Sequence, residues 1–560
     1  MTNETSSPAN LYGKDYYDCH LGPIPYDRNQ PHWNNFFRTI AKTIIERFHP
    51  ARVMDIGCAK GFLVEHLRDG GVEAYGIDIS PYAISEIRPD IKPYCRVASV
   101  TEPLQEHYDL VTCIEVAEHL TEEEGRQMIK NICQHTAQVI FSSTPDDFTE
   151  PTHINVQPAH YWQAIFAEHG FYPDIHFDPY FIAPQAMRFC CVKKEVKQSN
   201  ELPLVSICIP TYNVDKFISQ ALCSALSQTY PYVEIIVSDD NSIDKTIEIT
   251  KLFQEKCLGI FFVFTHHQYG LVNNCNFCIS QARGTYVKFL FQDDLLEPNC
   301  LEEMVKLAEQ DDEIGLVFSP RGSFLAREAY SDPTCKAMYY ESKDTYKFWS
   351  DLKPIQAGRE LLAEPNLLDN PINKIGEPST VLIKKEVFER VGLFDPEFCQ
   401  LIDIEMWLRV MSQYKIGFVE QSLSHFRIHP RQETRRNASA KEAILSDYQK
   451  LYYKLYEDTR YARNIRQQAL CRYAILSKQY SELRPLRKQI ADQCLSLSLN
   501  QLESMYLSTL GKTHQLLLST GIKEESLTDT EQTFVDQIVA HISRGFDEPK
   551  IINYLLAAVL

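Results

Sequence analysis

No apolar run in this 560-residue chain approaches the roughly 18 residues needed to cross a bilayer, so no spanning helix is expected. Basic clusters are missing as well. The 75 acidic residues outnumber the 56 Lys and Arg, giving a formal charge of −19. Neither nucleic acid nor an anionic membrane is an expected partner, because both are held through Lys/Arg patches. The opening MTNETSSPAN is polar and has no signal-peptide core, which leads to the expectation of a cytoplasmic protein. The 17 cysteines are scattered and read as reduced thiols in core positions. Cys275 and Cys278, in NNCNFC, have CxxC spacing. A zinc site would call for a second pair or a neighbouring His, so packing on one helix face is expected. Internal repeats and low-complexity tracts are absent too.

What is present is a globular composition, 44% hydrophobic and 23% charged, in a chain too long for one ordinary domain. A strand and helix rhythm runs through it twice. The first pass opens with WNNFFRTIAKTIIERF, where Trp33, Phe36, Phe37, Ile40, Ile44 and Phe48 recur at helical spacing. Short apolar runs follow at ARVMDIG, EAYGIDI, YDLVTCIEV and QVIFSST, separated by amphipathic stretches. That alternation predicts a parallel sheet covered by helices on both faces. KKEVKQSNELP, around residue 193, has no buried face and reads as a linker. A second α/β pass begins at VSICIPTYN, with Ile218, Leu222, Ala225 and Leu226 on one helix side. From about residue 437 the pattern turns helical (Ile444, Tyr448, Leu451, Tyr452, Leu455), and the apolar end IINYLLAAVL calls for a partner surface in this chain or another. The expected domains are 1–192, a linker 193–203, then 204–436 and a helical region 437–560.

Open α/β sheets bind ligands at the carboxyl ends of their strands. In VMDIGCAKGFLVEHL the first strand ends at Asp55, while Gly57 and Gly61 let the backbone approach a ligand beside free helix N–H groups. YGIDIS ends the next strand in Asp78, placed for ribose hydroxyls. A glycine loop with a second-strand acid suits an adenosine ligand, either a dinucleotide or S-adenosylmethionine, and the GxGxxG set of pyrophosphate sites is absent. Asp55, Gly57, Gly61 and Asp78, followed by YDLVTCIEVAEHL and HINVQPAHYWQAIFAEHGF, resemble the class I S-adenosylmethionine-dependent methyltransferases over residues 15 to 192.

The resemblance implies that Asp55 and loop 57–61 hold the methionine part of the cofactor, Asp78 the ribose, and that Glu115 borders the pocket. Ala59 stands where the family often has glycine, which is tolerable at negative φ. Ser99 stands where many members place an acid near the adenine. A hydroxyl acceptor must lose a proton, and His119 and His153 are the candidates with a suitable pKa. The tyrosines and His20 of YGKDYYDCHLGPIPYDR are placed to form a lid over the acceptor or to pack as an N-terminal segment.

In the second half, FLFQDDLLEP runs an apparently buried strand into adjacent Asp293 and Asp294. Like charges in contact cost stability unless a cation or hydrogen-bond donors share the site. VSICIPTYN, VEIIVSDDNSIDKT, TYVKFLFQDD, GLFDPEFCQLIDIEMWLRV and FRIHPRQ follow one another in the order and spacing that resembles family 2 glycosyltransferases of GT-A fold, over residues 204 to about 435. That resemblance implies a nucleotide-sugar donor and a Mg²⁺ or Mn²⁺ ion facing Asp293 and Asp294. Phe291 replaces an additional Asp of many members, so the metal would rest mainly on Asp294. Pro210, Tyr212 and Asp240 would surround the nucleotide, with Asp239 holding that loop, and Arg427 and His429 would close over the diphosphate or metal. Asp403 matches the catalytic base of an inverting transfer. Glu405, two residues on, points to another side of the helix, and Trp407 is expected to pack rather than stack on sugar.

Together these readings imply a bifunctional enzyme that builds a methylated glycan on a glycan or lipid-linked glycan acceptor. Two alternatives stay open: a methyltransferase acting on an unrelated small molecule, and one half serving as a binding or assembly module.

Overall fold

The computed structural model describes residues 11–20, 23–193, 202–257, 260–267, 269–341, 345–369, 371–432 and 441–476. Most of the expected linker, the segment MTNETSSPAN, the segment IINYLLAAVL and all of the helical region past residue 476 lie outside the described residues. The chain divides into two units, one of residues 1–202, 211–266 and 292–301, the other of residues 203–210, 267–291 and 302–560.

The first unit holds a seven-stranded sheet made of β1 (Arg52–Ile56), β2 (Glu73–Asp78), β3 (Cys95–Val97), β4 (Leu110–Ile114), β5 (Gln138–Ser142), β6 (Phe171–Pro173) and β7 (Met187–Cys191), in the order β3-β2-β1-β4-β5-β7-β6. Strands β1 to β5 run parallel, and β7 is antiparallel to both β5 and β6. The central strands are almost wholly buried, as expected when helices cover both faces and the strand sequence is a continuous apolar run. One face packs Met54, Val111, Met128, Phe141 and Trp162, the other Ile44, Val53, Leu63, Val64 and Ile140. The register sets Asp55 opposite Gly76 on β2 and Thr112 on β4, so the acid at the end of the first strand has a hydroxyl beside it.

Helix Ala159–Glu168 is buried from Trp162 to Ala167 because it has cover on two sides. It lies over the β6 edge of the sheet and also packs on helices Ile218–Leu226 and Thr246–Lys256 of the same unit.

The first unit also holds β9 (Val233–Asp239) and β10 (Phe261–Thr265), paired in parallel, and the short β12 (Leu295–Leu296). In the second unit β8 (Val205–Thr211), β11 (Tyr286–Phe289), β16 (Val381–Lys384), β13 (Ile314–Phe318), β17 (Lys415–Phe418) and β15 (Ile355–Ala357) lie side by side in that order. β8 and β11 are parallel, whereas β16 is antiparallel to β11 and β13. β14 (Arg321–Leu325) pairs in parallel with β18 (Ser424–Ile428) in the same unit. This is the mixed α/β architecture expected of a GT-A domain. Cys275 and Cys278 are buried on helix Gly270–Gln281, and the described cysteines form no disulfide. Trp407 is 2% exposed and donates its indole N–H to the Gly376 carbonyl, so it packs as expected.

One expectation is corrected. β11 does not run into the acidic pair but ends at Phe289. The Phe291 N–H turns to Ser379 Oγ at 3.0 Å, and Gln292 Oε1 accepts the Tyr212 N–H at 2.6 Å. These bonds to side chains peel the chain off the sheet and place Asp293 in a turn.

No helix among the described residues is long and apolar enough to cross a membrane.

Candidate active sites

The loop after β1 folds back against β2. The N–H groups of Gly57 and Cys58 both reach the Ile77 carbonyl, at 2.9 and 3.0 Å. Gly57 and Gly61 hold φ of +72 and +71, and a Cβ on Gly57 would collide with the Val116 side chain. Only glycine satisfies both demands at residue 57. Ala59 is also left-handed, at φ +47, which corrects the expectation of a negative φ. The reason lies in Asp78, whose Oδ2 accepts the Ala59 N–H at 2.8 Å while its Oδ1 accepts that of Ser80 at 2.8 Å. Two charge-assisted bonds offset the roughly 1–2 kcal/mol of left-handed strain in an L residue.

Asp78 is 7% exposed and Asp55 is 5% exposed. Burial pushes the Asp55 carboxyl up to about 7, against the hydrogen bond from Thr112 Oγ1 and with the help of the neighbouring Asp78 charge. Glu115 begins the loop beyond β4 at φ +52, and its Oε1 accepts a bond from Gln185 at 3.1 Å. Ser99 bonds Thr101 Oγ1 at 2.7 Å. The glycine loop and the two strand-end acids thus lie together at the carboxyl ends of β1 and β2.

His119 and His153 come together, with ring centroids 4.8 Å apart. Tyr12 and Tyr16 pack edge-on to His119 at 5.7 and 6.2 Å, and His20 Nδ1 lies 3.2 Å from Glu150. The N-terminal tyrosines thus border this pair. Burial, with the nearby His153, pushes His119 down to about 4, so it stays neutral at physiological pH and is a weak proton acceptor.

In the first unit the loops after β8 and β9 are laced together. Asp239, fully buried, accepts bonds from Thr211 Oγ1, Ser242 N and Ser242 Oγ. Asn213, at φ +50, accepts the Ile243 N–H and donates its own N–H to Ser242 Oγ. Asp239 is thereby a loop-holding residue, and Asn213 and Ser242 join it, two residues that the motif reading passed over. Asp240, 6% exposed, sends its N–H to the Thr211 carbonyl and faces His266 Nδ1 at 3.4 Å. Tyr212 is half-buried, and Asp294 is 1% exposed against a half-buried Asp293.

In the second unit Pro210 is buried on β8. Asp403 stands in the first turn of helix Ile402–Met411, and its Oδ2 accepts a bond from Asn373 Nδ2 at 2.8 Å. Burial pushes its carboxyl up to about 6. Glu405 makes two bonds of 2.7 Å to Arg409 instead, so the neighbouring acid is occupied by its own helix. Arg427 stacks over Phe324 at 4.5 Å from its opposite number on β14. His429, 5% exposed, donates its backbone N–H to Gln432.

Asn373 owes its place to Lys374, another residue without a readable signal. The buried Lys374 ammonium donates to the carbonyls of Asn366, Leu367, Asp369 and Pro371 at 2.8 to 3.1 Å. Lys374→Met leaves those carbonyls short of a donor, at about 1–3 kcal/mol for each one left buried and unsatisfied. We expect a lowered Tm for this variant, measured by thermal unfolding.

A methyltransferase-domain model matches residues 32–176, and the glycosyl transferase family 2 model matches residues 206–365. An uncharacterised protein of Mycobacterium tuberculosis is 30% identical over 243 residues, 43% of this chain and 73% of that protein. An uncharacterised glycosyltransferase of Rickettsia typhi is 27% identical over 239 residues, 43% of this chain and 68% of its own. Among solved structures, S. aureus TarS 1–349 aligns at TM-score 0.37 and 14% identity, covering 63% of this chain and 90% of that one. The Pyrobaculum calidifontis mannosyltransferase PcManGT, in complex with GDP-Man and Mn²⁺, aligns at TM-score 0.36 and 16% identity, covering 71% and 92%. The chain belongs to the family 2 glycosyltransferases and carries, ahead of that domain, a methyltransferase domain.

Proposed function

We propose that the chain is a bifunctional enzyme of glycan biosynthesis, which transfers a sugar from a nucleotide-sugar donor with inversion and methylates a saccharide hydroxyl from S-adenosylmethionine. The observation that carries this reading is the presence of both transferase domains in one chain. Tethering raises the effective concentration of one site's product at the other, which is useful when the two reactions share a substrate. We take residues 1–192 and 204–436 as the two catalytic domains, both in the cytoplasm.

In the first domain Asp55, Gly57, Gly61, Asp78 and Glu115 would hold S-adenosylmethionine, which supplies a methyl group on a good neutral leaving group. The His119–His153 pair would meet the acceptor hydroxyl and its proton. In the second domain Pro210, Tyr212 and Asp240 would receive the nucleotide, with Asp239 keeping their loop in shape. Asp293 and Asp294 supply the hard oxygen donors that Mg²⁺ or Mn²⁺ prefers, and a cation there would stabilise the departing diphosphate. Arg427 and His429 would neutralise the same charge. Asp403, with its proton affinity raised by burial, takes the proton from the attacking glycan or lipid-linked glycan hydroxyl.

The test uses labelled S-adenosylmethionine with a panel of UDP- and dTDP-sugars and glycan acceptors, read by mass spectrometry. Label is expected in the saccharide, and Asp78→Ala should abolish it while sugar transfer continues unchanged. Label confined to a non-sugar metabolite or to protein would overturn the shared-substrate reading.

A further inference from the structure

Glu118 is a fully buried acid of the first domain. It is 0% exposed, and among the described residues neither carboxylate oxygen makes a hydrogen bond within 3.5 Å, with Glu115 and Ser143 as the polar side chains acting on it. A buried carboxylate in that state costs several kcal/mol as an anion unless a cation meets it. The neighbours supply what a cation would need. Glu118, His119 and His153 each present a ligand atom, and these atoms lie within 4.8 Å of one another.

The geometry of the two rings is equally informative. His153 Nδ1 is 2.9 Å from the Asp147 carbonyl oxygen, which only accepts, so Nδ1 carries the proton. His119 Nδ1 faces Thr152 Oγ1 at 2.9 Å, and that hydroxyl donates onward to Glu150. Nδ1 of His119 is therefore a donor as well. The lone pair of each ring is therefore at Nε2, with Tyr16 Oη standing 3.5 Å from that of His119. An imidazole whose other N–H is spent on a carbonyl or a hydrogen-bonded oxygen is oriented as in metal-ligating histidines. The Glu118 carbonyl also accepts the N–H groups of Ile154 and Asn155, tying the His153 segment to the same point.

We infer that Glu118, His119 and His153 form a binding site for a divalent first-row transition-metal ion. Two nitrogens and one carboxylate favour Zn²⁺, Co²⁺ or Mn²⁺ over Ca²⁺. Bonds of about 2.0–2.2 Å require the three side chains to draw in by less than about 1 Å. Three protein ligands leave positions open for exogenous oxygen, and a coordinated hydroxyl loses its proton more readily. The role in methyl transfer rests on the function proposed above, whereas the site does not.

The experiment uses the full-length chain carrying Asp294→Asn, which removes the cation site expected in the second domain. After chelation it is titrated with Co²⁺ and followed by visible absorption. One Co²⁺ per chain with the d–d bands of a nitrogen-ligated ion is expected, weakened about tenfold or more by His153→Ala and by Glu118→Gln. Glu118→Gln keeps the side-chain volume, so the variant should stay folded while the Co²⁺-induced rise in Tm disappears. Absence of Co²⁺ binding in the parent, or unchanged affinity in Glu118→Gln, overturns the site. S-adenosylmethionine titrated into the same proteins reports separately on the methyltransferase reading.

Discussion

Asp403→Asn is expected to lower sugar turnover about 10²–10⁴-fold, the usual contribution of a positioned base, while the KM for the nucleotide sugar stays unchanged. The substitution preserves shape in the first turn of helix Ile402–Met411 and removes the capacity to take a proton, with the loss of one of the two hydrogen bonds that Asn373 and Ile404 donate. The parent's activity should fall as pH drops through about 6, where the raised carboxyl becomes protonated, and this limb should be missing from the residual activity of the variant. Stability moves in the opposite sense. A folded-state pKa above the ordinary value of 3.8 means that the folded protein holds this proton more tightly than the unfolded chain. The group's contribution is then largest at low pH and is lost as pH rises toward 6. The Tm of Asp403→Asn relative to the parent should therefore rise between pH 4.5 and pH 8. Unchanged turnover in the variant would move the base elsewhere, and Glu405 is a poor replacement because Arg409 occupies both of its oxygens.

Asp294→Ala should abolish metal-dependent binding of the nucleotide diphosphate. Metal stabilisation of a leaving group is worth several kcal/mol, so turnover should fall about 10²–10³-fold even at saturating Mn²⁺. Asp293→Ala should cost less, because Asp293 is half-buried in the turn whereas Asp294 is 1% exposed. Calorimetry with UDP and Mn²⁺ measures the loss, and S-adenosylmethionine binding, measured in the same sample, should be unaffected. Full sugar transfer by the variant without added metal would sink the assignment.

Both predictions concern residues that were legible from the chain alone, and the reason is local. β1, β2, β4 and β5 coincide with the four apolar runs of the first half, because a strand buried on both faces needs an unbroken apolar sequence. The placement of Asp55 and Asp78 at strand ends follows from that alone. Asp403, Glu405 and Trp407 were singled out through the family resemblance, and the structure sets all three on helix Ile402–Met411.

Long-range partners were not legible. β14 carries no periodic signal, yet it pairs in parallel with β18, more than 100 residues away, and sets Phe324 beside Arg427. The early end of β11 depends on Ser379 Oγ and Gln292, neither of which marks a strand boundary in sequence. Ala59 gave no sign of a positive φ, since only the distant Asp78 carboxylate stabilises it. His119 and His153 could be picked out as chemistry-bearing residues, but their juxtaposition with a buried Glu118 is a product of the loops beyond β4 and β5 meeting. Residue types and periodicity determined the elements and the acids at their ends, because those depend on neighbours within a few positions. Tertiary structure decided which acids are ion-paired, which are buried with a raised pKa and which are tied to backbone N–H groups, because burial and charge are set by residues that only folding brings together.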